Sequence, residues 1–260
     1  METTVKKICI LGERNSQKNI GLGRFATEIK NVFESLNIEY FFMGGKLLEE
    51  LKEKSELAKN IFDEVSAVIY LEKDGKRYAE IMCFCNIYDI PLINLSTGIN
   101  RRTSQAITFI DAPNIDIGIL RKIKVFKMNT EGFRDNPEKY EAYITEAHQS
   151  GKKSVPGTAK VLQEILGVIC HPQIGSIRSP YMAKLMGVPE YDLSGFGLHL
   201  VEIYEKESNE NGVRRRVFKE EFYVSGRDSY VKGLVLLLDI IPSLEKRCYH
   251  INEIVEEGLL

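Results

Sequence analysis

The residues that could do chemistry crowd into one stretch, Glu146-Ala-His148-Gln-Ser-Gly-Lys152-Lys-Ser-Val-Pro156-Gly157-Thr158-Ala159. It sets an imidazole and an ammonium group just ahead of a Gly-Thr turn, and the turn runs into a helix-like segment, Lys160 to Leu166. A helix entered through Gly-Thr presents backbone N–H groups without intrahelical partners, and such groups bind carboxylate or phosphate. His148 and Lys152 add proton donors and positive charge. The expected chemistry is proton-coupled turnover of a small anionic substrate. A polar loop leading into a capped helix would give the same pattern, so the elements around the stretch must decide.

Ahead of it, short apolar runs alternate with helical spacing. Strands are expected at Val5 to Leu11, Ile38 to Met43, Ala67 to Leu71, Leu92 to Leu95 and Ile107 to Ile110, with helices at Phe25 to Leu36, Leu47 to Phe62 and Tyr78 to Tyr88. This alternation predicts an α/β fold, a Rossmann-like parallel sheet covered on both faces, with ligands at the carboxyl ends of its strands. The first strand ends at Gly12, and Gly21 and Gly23 stand at the entrance of the following helix, where backbone approaches a pyrophosphate. The turn is longer than a clean G-x-G-x-x-G and is equally readable as a glycine-bearing loop. No acid follows the second strand, which reads Phe41-Phe42-Met43-Gly44-Gly45-Lys46. That argues against strong selection for NAD. Lys46 is either a surface lysine or a partner for a 2′-phosphate. Ser96-Thr97-Gly98 and Asp111-Ala112-Pro113-Asn114 fall where a nicotinamide would lie.

Beyond Asn114 the pattern changes. Arg121 to Phe133 reads as a half-exposed strand, Tyr143 to Ala147 as a strand ending at His148, and Phe196 to Glu205 and Arg216 to Val224 as long strands around a polar hairpin turn. Tyr230 to Ile241 reads as an apolar helix. The expectation is an α+β domain with an open mixed or antiparallel sheet. The two domains are expected at 1–113, with 245–260 returning, and at 114–244.

The 260 residues carry a formal net charge of −2, with 43% hydrophobic and 28% charged residues. Nothing in this balance points to nucleic acid or a membrane surface. No apolar run approaches the roughly 18 residues of a membrane span. Arg214-Arg215-Arg216 reads as a solvated strand or turn face. The five cysteines and four histidines lack metal-ligand spacing, so no metal is expected, and the thiols read as reduced and mostly buried in a cytoplasmic protein.

With these residues in place, the chain resembles the dihydrodipicolinate reductase family. Glu146 to Ala159 is similar to that family's E-x-H-H-x-x-K-x-D-x-P-S-G-T-A signature. Gly23-Arg24-Phe25-Ala26 is similar to its G-R-M-G cofactor turn, Ser96-Thr97-Gly98 to its T-T-G loop, and Ala112 through Gly118 to its A-P-N-F-S-x-G segment. Ile174 through Arg178 followed by Gly197-Leu-His199 resembles its I-x-x-x-R…G-x-H pair, Arg227 through Gly233 its R-x-x-F-x-x-G helix start, and Tyr249 through Ile254 its Y-x-M-x-D-V close. The departures are Gln149 for the second His, Ser154 for the Asp, a missing Ser between Pro156 and Gly157, the long cofactor turn and the absent acid.

The resemblance implies an NADPH- or NADH-dependent reductase of a cyclic unsaturated dicarboxylate in lysine and diaminopimelate synthesis, a homotetramer built through the second sheet. It makes His148 and Lys152 catalytic, and Gly157, Thr158 and Lys153 substrate-binding. It makes Gly12, Gly21, Gly23, Arg24, Ser96, Thr97, Gly98, Ala112 and Asn114 cofactor-binding. Arg178 and Arg227 are expected in salt bridges or strand pairing, and His199 in a structural role. Two alternatives stay open: a paralogous reductase of another imine or dehydro amino acid, and a non-catalytic ligand-binding relative.

Overall fold

The computed structural model describes residues 7–12, 24–72, 75, 77–96, 106–152, 156–208, 212–226 and 228–260. Gly21, Gly23, Thr97, Gly98, Lys153, Ser154 and Arg227 lie outside the described residues, as does the side chain of Arg24. The chain forms two compact units, Met1–Ile117 with Tyr230–Leu260, and Gly118–Ser229.

The first unit opens with β1 (Ile8–Leu11), α1 (Arg24–Ser35), β2 (Tyr40–Met43), α2 (Gly45–Glu53), α3 (Ser55–Phe62), β3 (Ala67–Tyr70), α4 (Tyr78–Tyr88), β4 (Leu92–Asn94) and β5 (Phe109–Asp111). The second unit follows with α5 (Ile117–Asn129), α6 (Glu131–Arg134), β6 (Tyr140–His148), α7 (Gly157–Leu166), β7 (Gly175–Ile177), α8 (Pro180–Leu185), β8 (Phe196–Ser208) and β9 (Arg214–Ser225). The chain then closes with α9 (Asp228–Ile240), β10 (Cys248–His250) and α10 (Ile251–Glu256).

Among the described residues, the first unit holds a six-stranded sheet in the order β10-β5-β4-β3-β1-β2, every pairing parallel. Every residue of β1, β3, β4 and β5 is buried. Continuous burial is what a parallel sheet covered on both faces requires. Cys9, Leu11, Phe62, Tyr70 and Phe109 share one of the cores so formed. In α9, a Cβ at Gly233 would overlap the carbonyl oxygen of Ile115, so this glycine lets helix and loop backbones touch.

The second unit holds a mixed sheet in the order β7-β6-β8-β9, with β6–β7 parallel and the other pairs antiparallel. Helices α5 and α7 cover one face through Ile119, Ile123, Phe126, Ala159, Leu162 and Leu166, against Ala142 and Ile144 of β6 and Val201 and Ile203 of β8. Arg214, Arg215 and Arg216 pair across the strands with Glu141, Glu205 and Glu202.

Two expectations are corrected. Arg121 to Phe133 is not a strand but the body of α5 with α6. Its buried residues Ile119, Ile123 and Phe126 recur at helical spacing, whereas the apolar Val125 and Met128, which blur that spacing in the sequence, are 52% and 68% exposed. The single helix expected from Leu47 to Phe62 is two, broken where Lys54 leaves helical geometry at φ −123°, ψ 84°.

All five cysteines are free, Cys9 and Cys85 buried and Cys83 exposed. Among the described residues, no helix is long and apolar enough to cross a membrane, and no cluster of His, Cys, Asp and Glu could hold a metal ion.

Candidate active site

The expected catalytic stretch begins on the last residues of β6. Strand alternation puts Ala142, Ile144, Glu146 and His148 on one face of the sheet, the face that α7 covers. Register then sets Ser176 of β7 and His199 of β8 beside Glu146, with Phe222 of β9 beside His199. One row of the sheet therefore reads Ser176, Glu146, His199, Phe222. His148 stands one step further along, opposite Gly197.

Glu146 is the hub of this row. Its carboxylate is fully buried, yet both oxygens are taken. Oε1 accepts from Arg178 Nη2 at 2.5 Å and from Ser176 Oγ at 2.5 Å. Oε2 faces Arg178 Nη1 at 2.8 Å and His148 Nδ1 at 2.7 Å. Burial pushes the Glu146 carboxyl up, but the hydrogen bonds from Arg178, Ser176 and His148 together hold it below the usual carboxylate range. An ionised carboxylate can only accept, so Nδ1 of His148 carries the hydrogen in that bond. The other nitrogen, Nε2, is thereby left as the one that can exchange a proton with a substrate.

The ring of His148 is held on its other sides as well. It stacks on Phe196 at 6.4 Å between centroids and 20° between planes. A Cβ on Gly197 would sit 2.9 Å from Nε2, so a glycine here gives the ring its place. Burial lowers the His148 pKa; Glu146 opposes that shift, while the charges of Lys152 and Arg178 reinforce it. The imidazole is therefore neutral at pH 7, with Nδ1–H fixed toward Glu146.

His199 lies behind this pair. Its ring meets His148 edge-on at 5.2 Å, and the residue is 2% exposed. Neither ring nitrogen makes a hydrogen bond of good geometry. Burial drives its pKa down to about 4, aided by the charge on His148 and Lys152 and opposed by Glu146 and the backbone of Phe222. A neutral, buried imidazole packed against His148 matches the structural role expected of it.

Beyond His148 the chain turns, with Lys152 N–H donating to the Gln149 carbonyl at 3.0 Å. Arg178 Nε donates to the Lys152 carbonyl at 2.9 Å. The guanidinium that neutralises Glu146 thus also anchors the backbone that carries Lys152. The salt bridge expected of Arg178 is present, and its anchoring of Lys152 is what sequence alone did not suggest. The turn leads to α7, whose first residues are Gly157 and Thr158. Pro156 supplies no side-chain cap, and a Cβ on Gly157 would meet nothing within 4 Å. Among the described residues, the first amides of this ten-residue helix therefore have no side-chain cap, and the N-terminus of a helix favours an anion. His171 stacks on Tyr143, and His250 caps α10 by accepting from Asn252 N–H at 3.2 Å.

The expected cofactor residues of the first unit collect at the carboxyl ends of its strands. Gly12 follows β1, and Arg24 is the first residue of α1. Ser96 follows β4 and is buried, its hydroxyl donating to the Glu72 carbonyl at 2.5 Å and its amide to Asn94 Oδ1 at 3.1 Å. The first bond ties its loop to the end of β3 and the second to the end of β4. Ala112 follows β5 and donates its N–H to the Asn94 carbonyl at 2.8 Å. Asn114 Oδ1 accepts from Asp116 N–H at 3.1 Å, closing a turn.

No protein-family model matches the chain. It is 25% identical over 219 residues to a probable 4-hydroxy-tetrahydrodipicolinate reductase 2, chloroplastic, of Oryza sativa subsp. japonica, covering 76% of this chain and 63% of the relative. It is 24% identical over 196 residues to reductase 1 of the same plant, covering 69% and 54%. The matches thus span just over half to nearly two thirds of those proteins. In fold, the chain is similar to a dipicolinate-bound dihydrodipicolinate reductase from Paenisporosarcina sp. TG-14, at a TM-score of 0.59 and 15% identity over 96% of this chain and 99% of that one. Likeness in sequence, to the 4-hydroxy-tetrahydrodipicolinate reductases, and likeness in fold, to a dihydrodipicolinate reductase, point the same way.

Proposed function

We propose that this chain reduces a cyclic, unsaturated nitrogen heterocycle bearing two carboxylates, with NADPH or NADH as hydride donor, in lysine or diaminopimelate synthesis. The observation that carries the reading is the Arg178–Glu146–His148 relay, whose arginine also anchors the backbone of Lys152. The polar groups suit such a substrate: a neutral imidazole, a cation and the start of α7, which has no side-chain cap from Pro156, follow one another in sequence from His148 to Thr158. The strand ends of the first unit suit a nicotinamide dinucleotide. Gly12 and Gly44 carry no side chains there, and a Cβ at either would meet nothing closer than 3.9 Å, so backbone is open to phosphate.

The dinucleotide supplies the hydride, and the residues of this chain manage charge and protons. Lys152 donates the proton that neutralises the negative charge developing on the ring as hydride arrives. His148, kept neutral and oriented by Glu146, presents the lone pair of Nε2 as an acceptor, for a substrate N–H or for a proton on its way to Lys152. Gly157 and Thr158, with Lys153, hold a carboxylate at the helix start. Association through the sheet of the second unit, giving a tetramer, belongs to the same proposal.

Purified protein should oxidise NADPH or NADH in the presence of the condensation product of pyruvate and aspartate semialdehyde. Lys152→Ala should lower that turnover by about 10²-fold or more while leaving dinucleotide affinity within error. Full turnover in Lys152→Ala would refute the assignment of the proton donor. Gln149, where the family has a second histidine, favours one other reading, a paralogous reductase of a different cyclic imine. Turnover of such an imine in place of the first substrate would select it.

A further inference from the structure

Granting the dinucleotide site proposed above, we infer that Arg77 selects the 2′-phosphorylated cofactor, NADPH over NADH. In the order β3-β1-β2, the end of β2 is next to the end of β1, where Gly12 begins the phosphate turn. In sheets of this type the adenosine ribose lies along that end of β2. A carboxylate there accepts hydrogen bonds from the ribose hydroxyls and repels a phosphate. Here β2 is followed by Gly44 and Gly45, neither with a side chain, and α2 starts at Gly45 with no acid in its first turn.

A cation occupies the place. Arg77 immediately precedes α4, and its guanidinium lies directly over Gly45, where any Cβ would overlap Nη1. The two terminal nitrogens are divided between tasks. Nη2 pairs with the Glu72 carboxylate, which is fully buried and also receives the Tyr70 hydroxyl at 3.3 Å. Nη1 faces the start of α2. The side chain is 24% exposed and tied to Glu72, so it is restrained and partly shielded from water. An arginine fixed in this way is suited to a phosphate oxygen, because little freedom is lost when the bond forms. Lys46, exposed in the same turn, adds a second cation within the first turn of α2. Glycine at 45 is therefore a requirement of Arg77 reaching the ribose, and the missing acid and the arginine are two parts of one arrangement.

Calorimetric titration of the full chain with NADPH, NADH, adenosine 2′,5′-bisphosphate and adenosine 5′-monophosphate tests this. NADPH should bind at least about tenfold more tightly than NADH, or about 1.4 kcal/mol, with the same order between the two mononucleotides. Removing Arg77 outright would strand the Glu72 charge, so the test uses Arg77→Lys, which keeps a cation for Glu72 but loses the fork, and Gly45→Ala, which displaces the guanidinium by its methyl group. Both should bring the NADPH-to-NADH ratio toward one. A native ratio within twofold of one, or a ratio that survives both substitutions, overturns the role of Arg77 while leaving the dinucleotide reading intact. Failure of every nucleotide to bind overturns both.

Discussion

Protonation of His199 should be one of the events that weakens this protein in acid. The ring is buried and its pKa is about 4, against 6.5 for the ordinary residue. A histidine whose folded pKa is depressed binds its proton more readily in the unfolded chain, so stability falls as pH drops through the interval between the two values. The interval of about 2.5 pH units, at about 1.4 kcal/mol each, sets a ceiling of about 3.5 kcal/mol. Between pH 7 and pH 5 the loss is about 2 kcal/mol, since the unfolded group is almost fully charged at pH 5 and the native one is not. Other groups titrate over the same range, His148 among them, so the measurement is a difference. Urea unfolding of the native chain and of His199→Phe at pH 7 and pH 5 should show the native chain losing about 2 kcal/mol more than the variant. Phenylalanine keeps the edge-on contact with His148 and has nothing to protonate. Parallel losses in the two proteins would refute the reasoning, as would a His199 resonance titrating near 6.5 in proton NMR.

Three further outcomes follow from the same geometry. Glu146→Gln turns one of the two acceptor oxygens shared by His148, Arg178 and Ser176 into a donor and removes the charge that neutralises Arg178; turnover should fall by about 10²- to 10⁴-fold, and urea unfolding should show a loss of about 3 kcal/mol. Unchanged turnover in the folded variant would mean that Glu146 does not orient His148. Gly197→Ala places a methyl group against Nε2 of His148 and should lower kcat by about tenfold or more with little change in midpoint denaturant concentration, since the ring must shift by only a fraction of an ångström. Gly233→Ala sets a methyl group into the Ile115 carbonyl and should cost about 3 kcal/mol or more, seen as a lower melting temperature.

How much of this could be read from sequence depended on the range of the interaction. The parallel sheet was legible because Ile8–Leu11 and Ala67–Tyr70 are short apolar runs set between helical spacings, a local pattern that burial on both faces imposes. Helix α5 was misread because Val125 and Met128 lie on its solvent side, and apolar residues on both sides of a helix erase its periodicity. Within the candidate site, His148 and Lys152 were found from their spacing. The hub role of Glu146 was not, since its partners Ser176 and Arg178 stand 30 and 32 residues away and only the β6–β7 register brings them together. Arg77 escaped notice for the same reason: Gly45 and Arg77 meet through the packing of α2 and α4 beside the sheet, and no local spacing records it.

The last strand carries a consequence for how the chain comes to be made. Strand β10 lies beside β5, and the hydrogen bond from Thr108 to the Glu245 carbonyl joins residues 137 apart. A ribosome delivers the whole of Gly118–Ser229 before that edge can close. The second unit has its sheet and helices contiguous in sequence, so it can fold while still tethered to the synthesis machinery, whereas the six-stranded sheet waits with the flank of β5 uncovered. Closing so long a span is slow relative to local pairing. During that wait the nascent chain is most exposed to edge-to-edge association, and a stalled or truncated product lacking Cys248–His250 would present a bare strand to its neighbours.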